Sequence, residues 1–147
     1  MAHSVNTITA NLAQEVGVGN VVQAAQRLGI QSPLAQNASL ALGTSEVTPL
    51  ELTRAYAVFA NGGLKVYPYF VTEVDDNRGQ VLYRRQPPAD PERVVASHVN
   101  RDLVAMLDGV VTGGTGRGAA LAGHQTGGTT GPTQEYHRAR FRGSPTN

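Results

Sequence analysis

The chain has 147 residues, a net charge of +1, 40% apolar residues and 5% aromatics, a size that fits one domain or part of a larger one. No acidic or basic tract supplies the electrostatic footprint of nucleic-acid binding, and the absence of cysteine excludes a disulfide, a thiolate nucleophile and a thiolate metal site. Lysine is nearly absent, Lys65 standing against eleven arginines, so chemistry that needs a side-chain amine has one candidate.

The first predicted element is a helix marked on one face by Ile8, Leu12 and Val16, with Gly17 near its end. A second helix follows, with Asn20 as its cap, Val21, Ala24, Ala25 and Leu28 on its apolar face and Gly29 as its stop. Residues 31–42, with Pro33, Asn37 and Ser39, read as a linker. The stretch Gly43–Gly63 then predicts a helix over 48–60. Thr48 caps it, Pro49 takes the first helical position and Glu51 closes a capping box. Leu52, Ala55, Tyr56, Phe59 and Ala60 recur at helical spacing, and Asn61-Gly62-Gly63 stops the helix because glycine reaches left-handed angles cheaply.

The period then changes. Leu64–Val74 is rich in Val, Tyr, Phe and Thr and predicts a strand. Asp75-Asp76-Asn77-Arg78-Gly79 is turn chemistry and Gln80–Tyr83 a return strand, together a hairpin. Pro68 keeps its part of the run away from a central sheet position. Residues 86–91 are a polar break. Ser97 caps a further helix whose stripe is Val99, Leu103, Met106, Leu107, Val110 and Val111, ended by Gly113–Gly118. Residues 119–131 are small and Gly-rich, and Gln134–Phe141 predicts a strand. Helices mixed with a few antiparallel strands give an α+β or mixed α/β class. No apolar run approaches the ~20 residues of a membrane span, and no signal-peptide pattern opens the chain.

Several patterns carry little chemistry. His3, His98, His124 and His137 lack metal-ligand spacing and read as surface histidines. Ser97, His98 and Asp102 are sequence neighbours without a nucleophile-elbow pattern. Gly113–Gly118 is a phosphate loop in composition only, since the Gly-Lys-Ser/Thr ending is absent. Arg138, Arg140 and Arg142 read as a surface basic strip, and Glu46 and Glu51 as charges favoured at a helix start.

Three longer strings carry a resemblance. SVNTITANLAQEVGVGNVVQAAQRLGI resembles the segment of penicillin-binding transpeptidase domains that opens with a Ser-x-Asn motif. SLALGTSEVTPLELTRAYAVFANGG resembles the segment after it. GTGRGAALAGHQTGGTTGPTQEYHRARFRGSPT resembles the approach to the family's Lys-Thr-Gly motif and the strand beyond it. The match is nearest to the bifunctional, glycosyltransferase-linked branch. The resemblance implies a partial β-lactamase/transpeptidase-like fold, helices packed on an antiparallel sheet and truncated at both ends, with residues 1–147 an incomplete transpeptidase domain. It implies a parent activity of peptidoglycan cross-linking by serine acyl transfer on peptides ending in D-Ala-D-Ala, with acylation by β-lactams. It implies no cofactor, and it places the parent family at the membrane, facing the extracytoplasmic space.

The three motifs of that family fare differently here. Ser-x-x-Lys is absent, since Gly62 stands three residues before the only lysine. Ser-x-Asn is present as Ser4-Val5-Asn6, for which the resemblance implies proton relay and substrate positioning; helix capping is the reading without it. Lys-Thr-Gly becomes Thr129-Thr130-Gly131, with Thr133 further along the implied substrate strand. Thr129 has no charge to offer a substrate carboxylate. Pro132 stands where the family's backbone N–H is half of the oxyanion hole, and proline has no N–H. Arg138 and Arg140 replace the family's Asp and Trp. The expectation is a chain inactive by itself. The alternatives are an enzyme completed in trans by a partner chain supplying the missing half, a non-catalytic binding or structural module, and a gene remnant.

Overall fold

Two helices joined at one glycine begin the chain. The structure, a computed structural model, describes His3 and residues 5–132 and 139–146. Helix α1 (Asn6–Val16) ends at Gly17, from which α2 (Val18–Leu28) starts. The sequence places the second cap at Asn20, but Asn20 lies inside α2, and its Nδ2 donates back to the Val16 carbonyl at 2.8 Å. That bond satisfies one of the carbonyls a helix end leaves open. A short 3₁₀ turn, Ala38–Leu42, interrupts the predicted linker and lies against α1.

Helix α3 (Pro49–Ala60) has the expected ends. Thr48 Oγ1 accepts from the Glu51 N–H at 3.2 Å, and Glu51 Oε2 accepts from the Thr48 N–H at 2.9 Å. Glu51 also reaches outside its own helix. Its Oε1 accepts from the Gln31 and Ser32 N–H groups at 2.7 and 2.8 Å, and its Oε2 accepts from the Ser32 hydroxyl at 2.6 Å. One carboxylate therefore ties the exit of α2 to the entry of α3. These hydrogen bonds, led by that of Ser32, hold its pKa far below the ordinary carboxylate value.

Helix α4 (Ser97–Thr112) crosses behind α3. Ala96 takes the cap position and Ser97 is the first helical residue, which corrects the expected cap. Gly63 fastens the two helices. Its carbonyl accepts from the Val94 and Val95 N–H groups at 3.0 and 3.1 Å, and its φ is +89°. A Cβ there would lie 2.4 Å from the Val95 carbonyl oxygen, so only glycine fits. Buried Asn100 donates to the Phe59 carbonyl at 3.1 Å across the same joint. The core is Val58 and Val110, both 0% exposed, with Ala55, Leu107 and Val111 beside them and Ala13, Val22 and Ile30 beneath the first helices. The expected stripe of α4 is buried at Leu107, Val110 and Val111, whereas Val99 and Met106 face outward.

The strand expected over Leu64–Val74 is mostly irregular. Leu64 forms a single bridge with Arg93, and β1 is only Glu73–Asp75. The intervening backbone is committed elsewhere: the Lys65 N–H donates to the Glu92 carbonyl at 2.8 Å, and the Val66 carbonyl accepts from Arg54 Nε at 2.9 Å. Pro68 then fixes its own φ and offers no donor. The hairpin itself forms. Strand β2 (Val81–Arg84) pairs antiparallel with β1, with Glu73 opposite Arg84 and Val74 opposite Tyr83, and Asp76 Oδ1 accepts from the Arg78 and Gln80 N–H groups at 2.8 Å in the turn. Every residue of β1 and β2 is exposed.

A second ribbon closes the fold. Strand β3 (Gln125–Pro132) pairs antiparallel with β4 (Ala139–Thr146), from Gln125 opposite Thr146 to Pro132 opposite Ala139. The expected strand over Gln134–Phe141 is thus found later in the chain, with residues 134–138 outside the described residues. α4 packs on β3, and α3 on β4. The helices and antiparallel ribbons make a mixed α+β fold, as expected.

Helix α1 departs most from its expected role. Ile8, Leu12 and Val16 are 65%, 56% and 50% exposed, while Ala13 is buried and Ala10 and Gly17 are half-buried. The small residues face the molecule and the large apolar ones face away.

Candidate functional site

The residues singled out by motif fall on two elements. Asn6 is the first residue of α1 and is exposed. Val5 is the cap, and no side chain makes the capping bond, so capping does not account for Asn6. Ser4 lies outside the described residues, as does Thr133. Thr129, Thr130 and Gly131 lie in β3, opposite Arg142, Phe141 and Arg140 of β4. α1 packs on α2 and the first 3₁₀ turn, and β3 packs on α4 and β4.

The local sequence explains how β3 is held. Thr126, Gly127 and Gly128 are buried. A Cβ on Gly127 would sit 3.3 Å from the Leu107 Cβ, so the glycine lets α4 approach the strand closely. The Gly-rich stretch forms a strand here because small residues are what this packing needs.

One contact at the site was not legible from motif spacing. The Thr115 and Thr130 hydroxyls lie 2.6 Å apart, tying the loop after α4 to the middle Thr of the degenerate Lys-Thr-Gly motif. Thr115 is held in place because the Gly114 and Gly116 N–H groups donate to the Val110 carbonyl at 3.1 and 3.0 Å. The available signal was Gly113–Gly118. That stretch leads into a three-residue 3₁₀ turn, Arg117–Ala119, so no helix N-terminus stands behind it to hold a phosphate.

A recess of about 190 Å³ lies behind β3, lined by Asp108, Val111, Thr112, Ala120, His124 and Thr126. None of the motif residues lines it. Among the described residues no group of three His, Cys, Asp or Glu could hold a metal ion. The only side-chain amine, Lys65, pairs with Glu92, which raises its pKa above the usual lysine value.

The profile of the penicillin-binding protein transpeptidase domain matches residues 1–142. The chain belongs to this family. Its relatives include the penicillin-binding protein 1A of Aquifex aeolicus (strain VF5), 41% identical over 143 residues, which cover 97% of this chain and 19% of that protein. The penicillin-binding protein 1A of Rickettsia prowazekii (strain Madrid E) is 32% identical over 94% of this chain and 20% of its own length. The chain therefore spans about a fifth of the length of the curated relatives it matches.

Solved transpeptidases of the family share the fold. Penicillin-binding protein 1A from Haemophilus influenzae superposes with a TM-score of 0.86 at 25% identity, over 97% of this chain and 27% of that one. The D,D-transpeptidase domain of a peptidoglycan glycosyltransferase from Eggerthella lenta gives 0.81 at 22% identity, over 99% and 44%. Penicillin-binding protein A from M. tuberculosis, solved as an imipenem acyl-enzyme, gives 0.82 at 22%, over 99% and 37%.

Proposed function

We propose that these residues form two walls of a peptidoglycan transpeptidase site, Ser4 and Asn6 on one and Thr129, Thr130, Gly131 and Thr133 on the other. The parent reaction is serine acyl transfer on peptides ending in D-Ala-D-Ala, with β-lactams as acylating analogues. We further propose that the 147 residues alone do not form an acyl-enzyme. Family membership and the capture of a fold neighbour as an imipenem acyl-enzyme support the first statement.

The observation that carries the second is the state of Lys65. An amine that activates a serine must be free to take its proton. Lys65 is ion-paired with Glu92, which favours its charged form, and Gly62 rather than a serine stands three residues before it. Two substitutions at β3 act in the same direction. Thr129 offers a hydroxyl where an ammonium would draw in a carboxylate. Pro132 donates no N–H to a developing oxyanion, and loss of one such donor typically costs ~10²–10³ in rate, or about 3–4 kcal/mol.

Incubation with a fluorescent penicillin followed by a denaturing gel tests this. The expected result is no labelled band at 15.5 kDa, also for a Thr129→Lys/Pro132→Thr double variant, which restores the strand but no nucleophile. A covalently labelled band in either sample would refute the inactive reading.

A further inference from the structure

Strands β1 and β2 stand clear of the core, with every residue exposed, and among the described residues no third strand joins them. The ribbon therefore has two open edges, and they differ. The Arg85 N–H donates to the Thr72 carbonyl at 2.8 Å, and the Asp76 N–H to the Gln80 carbonyl at 2.9 Å. Bonded and non-bonded pairs alternate in an antiparallel ladder, so the N–H and C=O groups of Glu73 and Asp75 point away from β2. On β2 the register shifts: Tyr83 faces Val74 and Val81 faces Asp75, which leaves Leu82 as an extra residue. Such a bulge bends its strand and breaks the row of outward groups. The regular edge is that of β1. Its side chains are acidic on one face, because Glu73 and Asp75 stand two residues apart. Glu73 pairs with Arg84, whereas among the described residues no cation pairs with Asp75. Val74 lies on the other face, beside Tyr83.

We propose that the outer edge of β1 takes a third strand from a partner protein, an extended segment that runs antiparallel and alternates basic and apolar residues. One basic residue opposite Glu73 and another opposite Asp75 answer the two carboxylates on their face. The apolar residue between them lies beside Val74 and Tyr83 on the other. Charge selects this occupant. Opposite charges across a strand pair stabilise it and like charges destabilise it. The β1 strand of a second copy would set carboxylates against carboxylates, and an anionic lipid surface is repelled in the same way. The added strand also supplies what the ribbon lacks, since a two-stranded hairpin is marginal and a third strand with an apolar face makes it stable.

The test uses the full 147-residue chain and, as probe, a fluorescein-labelled peptide Thr-Arg-Val-Arg-Val-Thr, read by fluorescence polarisation. The expected result is saturable binding. Methylating the backbone nitrogen of the second Arg, which faces the β1 edge, should weaken binding about tenfold, because it removes one ladder bond. Methylating the nitrogen of the Val between the two Arg, which faces solvent, should leave binding unchanged. Asp75→Lys should weaken binding about tenfold and favour the counterpart peptide Thr-Glu-Val-Glu-Val-Thr. Asp90→Lys, the same charge change at an exposed site off the edge, should leave binding unchanged. Absence of saturable binding overturns the proposal. So does equal binding of the Glu peptide by the unmodified chain, equal behaviour of the two methylated peptides, or equal loss in Asp75→Lys and Asp90→Lys. A homodimer in light scattering that Asp75→Lys abolishes, or binding of the chain to phosphatidylglycerol vesicles through this edge, overturns it as well.

Discussion

At the scale of single residues, Glu51 and Gly63 do the most to join elements that are distant in sequence. Glu51 serves its own helix as a capping box and at the same time collects the N–H groups of Gln31 and Ser32. Because its folded pKa is depressed, its contribution is fully present above the unfolded value near ~4.3 and is lost as pH falls below that toward the folded value. Glu51→Gln should therefore lower the Tm at pH 7 and flatten the fall in Tm between pH 5 and 2. An acid limb as steep as that of the unmodified chain, by circular dichroism, would reject the assignment. Gly63 and its neighbour Gly62 make a matched pair, both at positive φ. At Gly62 a Cβ would meet nothing within 4 Å, so Gly62→Ala should cost only the left-handed backbone penalty, about 1–2 kcal/mol. Gly63→Ala adds a collision with the Val95 carbonyl and should cost roughly 1–3 kcal/mol more. Equal losses in urea unfolding would show that the close approach is absent. The capping box was legible because its parts stand three residues apart. The Ser32 and Val95 contacts were not, because nothing local encodes a partner 19 or 32 positions away.

Among the elements, legibility followed how local the cause is. Both ends of α3 could be read because Thr48, Pro49 and Asn61-Gly62-Gly63 act within a turn of the chain. The extent of α1 could be read too, but not which side is inside, since periodicity shows that a helix has an apolar face and is silent on what lies against it. Leu64–Val74 has strand composition, yet a strand exists only where a partner edge does, and here Glu92 and Arg54 take its early backbone groups. In β3 glycine lowers strand propensity but allows contact with Leu107, so composition alone does not mark the strand. The β1–β2 hairpin is an excursion with a closed neck, formed by the Leu64–Arg93 bridge, the Lys65–Glu92 pair and the Arg93 guanidinium on the Gly62 carbonyl at 2.7 Å. An isolated two-stranded ribbon is at best marginally stable in water, so it adds little to the core it hangs from. Replacing residues 70–87 with a short Gly-Ser linker should leave the helical circular dichroism intact and shift the Tm by no more than a few degrees. Loss of the cooperative transition would show that the ribbon supports the core.

For the whole molecule, the candidate site was legible as chemistry and not as geometry. Thr129, Thr130 and Gly131 were placed on a strand by resemblance, and β3 carries them. Thr115, which meets Thr130, stands 15 residues away and belongs to no spaced motif. The family could be read from strings of 25 or more residues, because a long match constrains many positions at once. What those strings leave open is how α1 is turned, with Ile8, Leu12 and Val16 exposed and Ala13 buried.

The pairing of Lys65 with Glu92 also has a use on the bench. Apart from the α-amino group, an acylating dye or an ester-activated bead has one nitrogen to find on this polypeptide, at the base of the ribbon. Molecules captured through that nitrogen would all stand the same way up. Because its neighbour keeps it protonated, such coupling belongs in more alkaline buffer than an ordinary lysine requires.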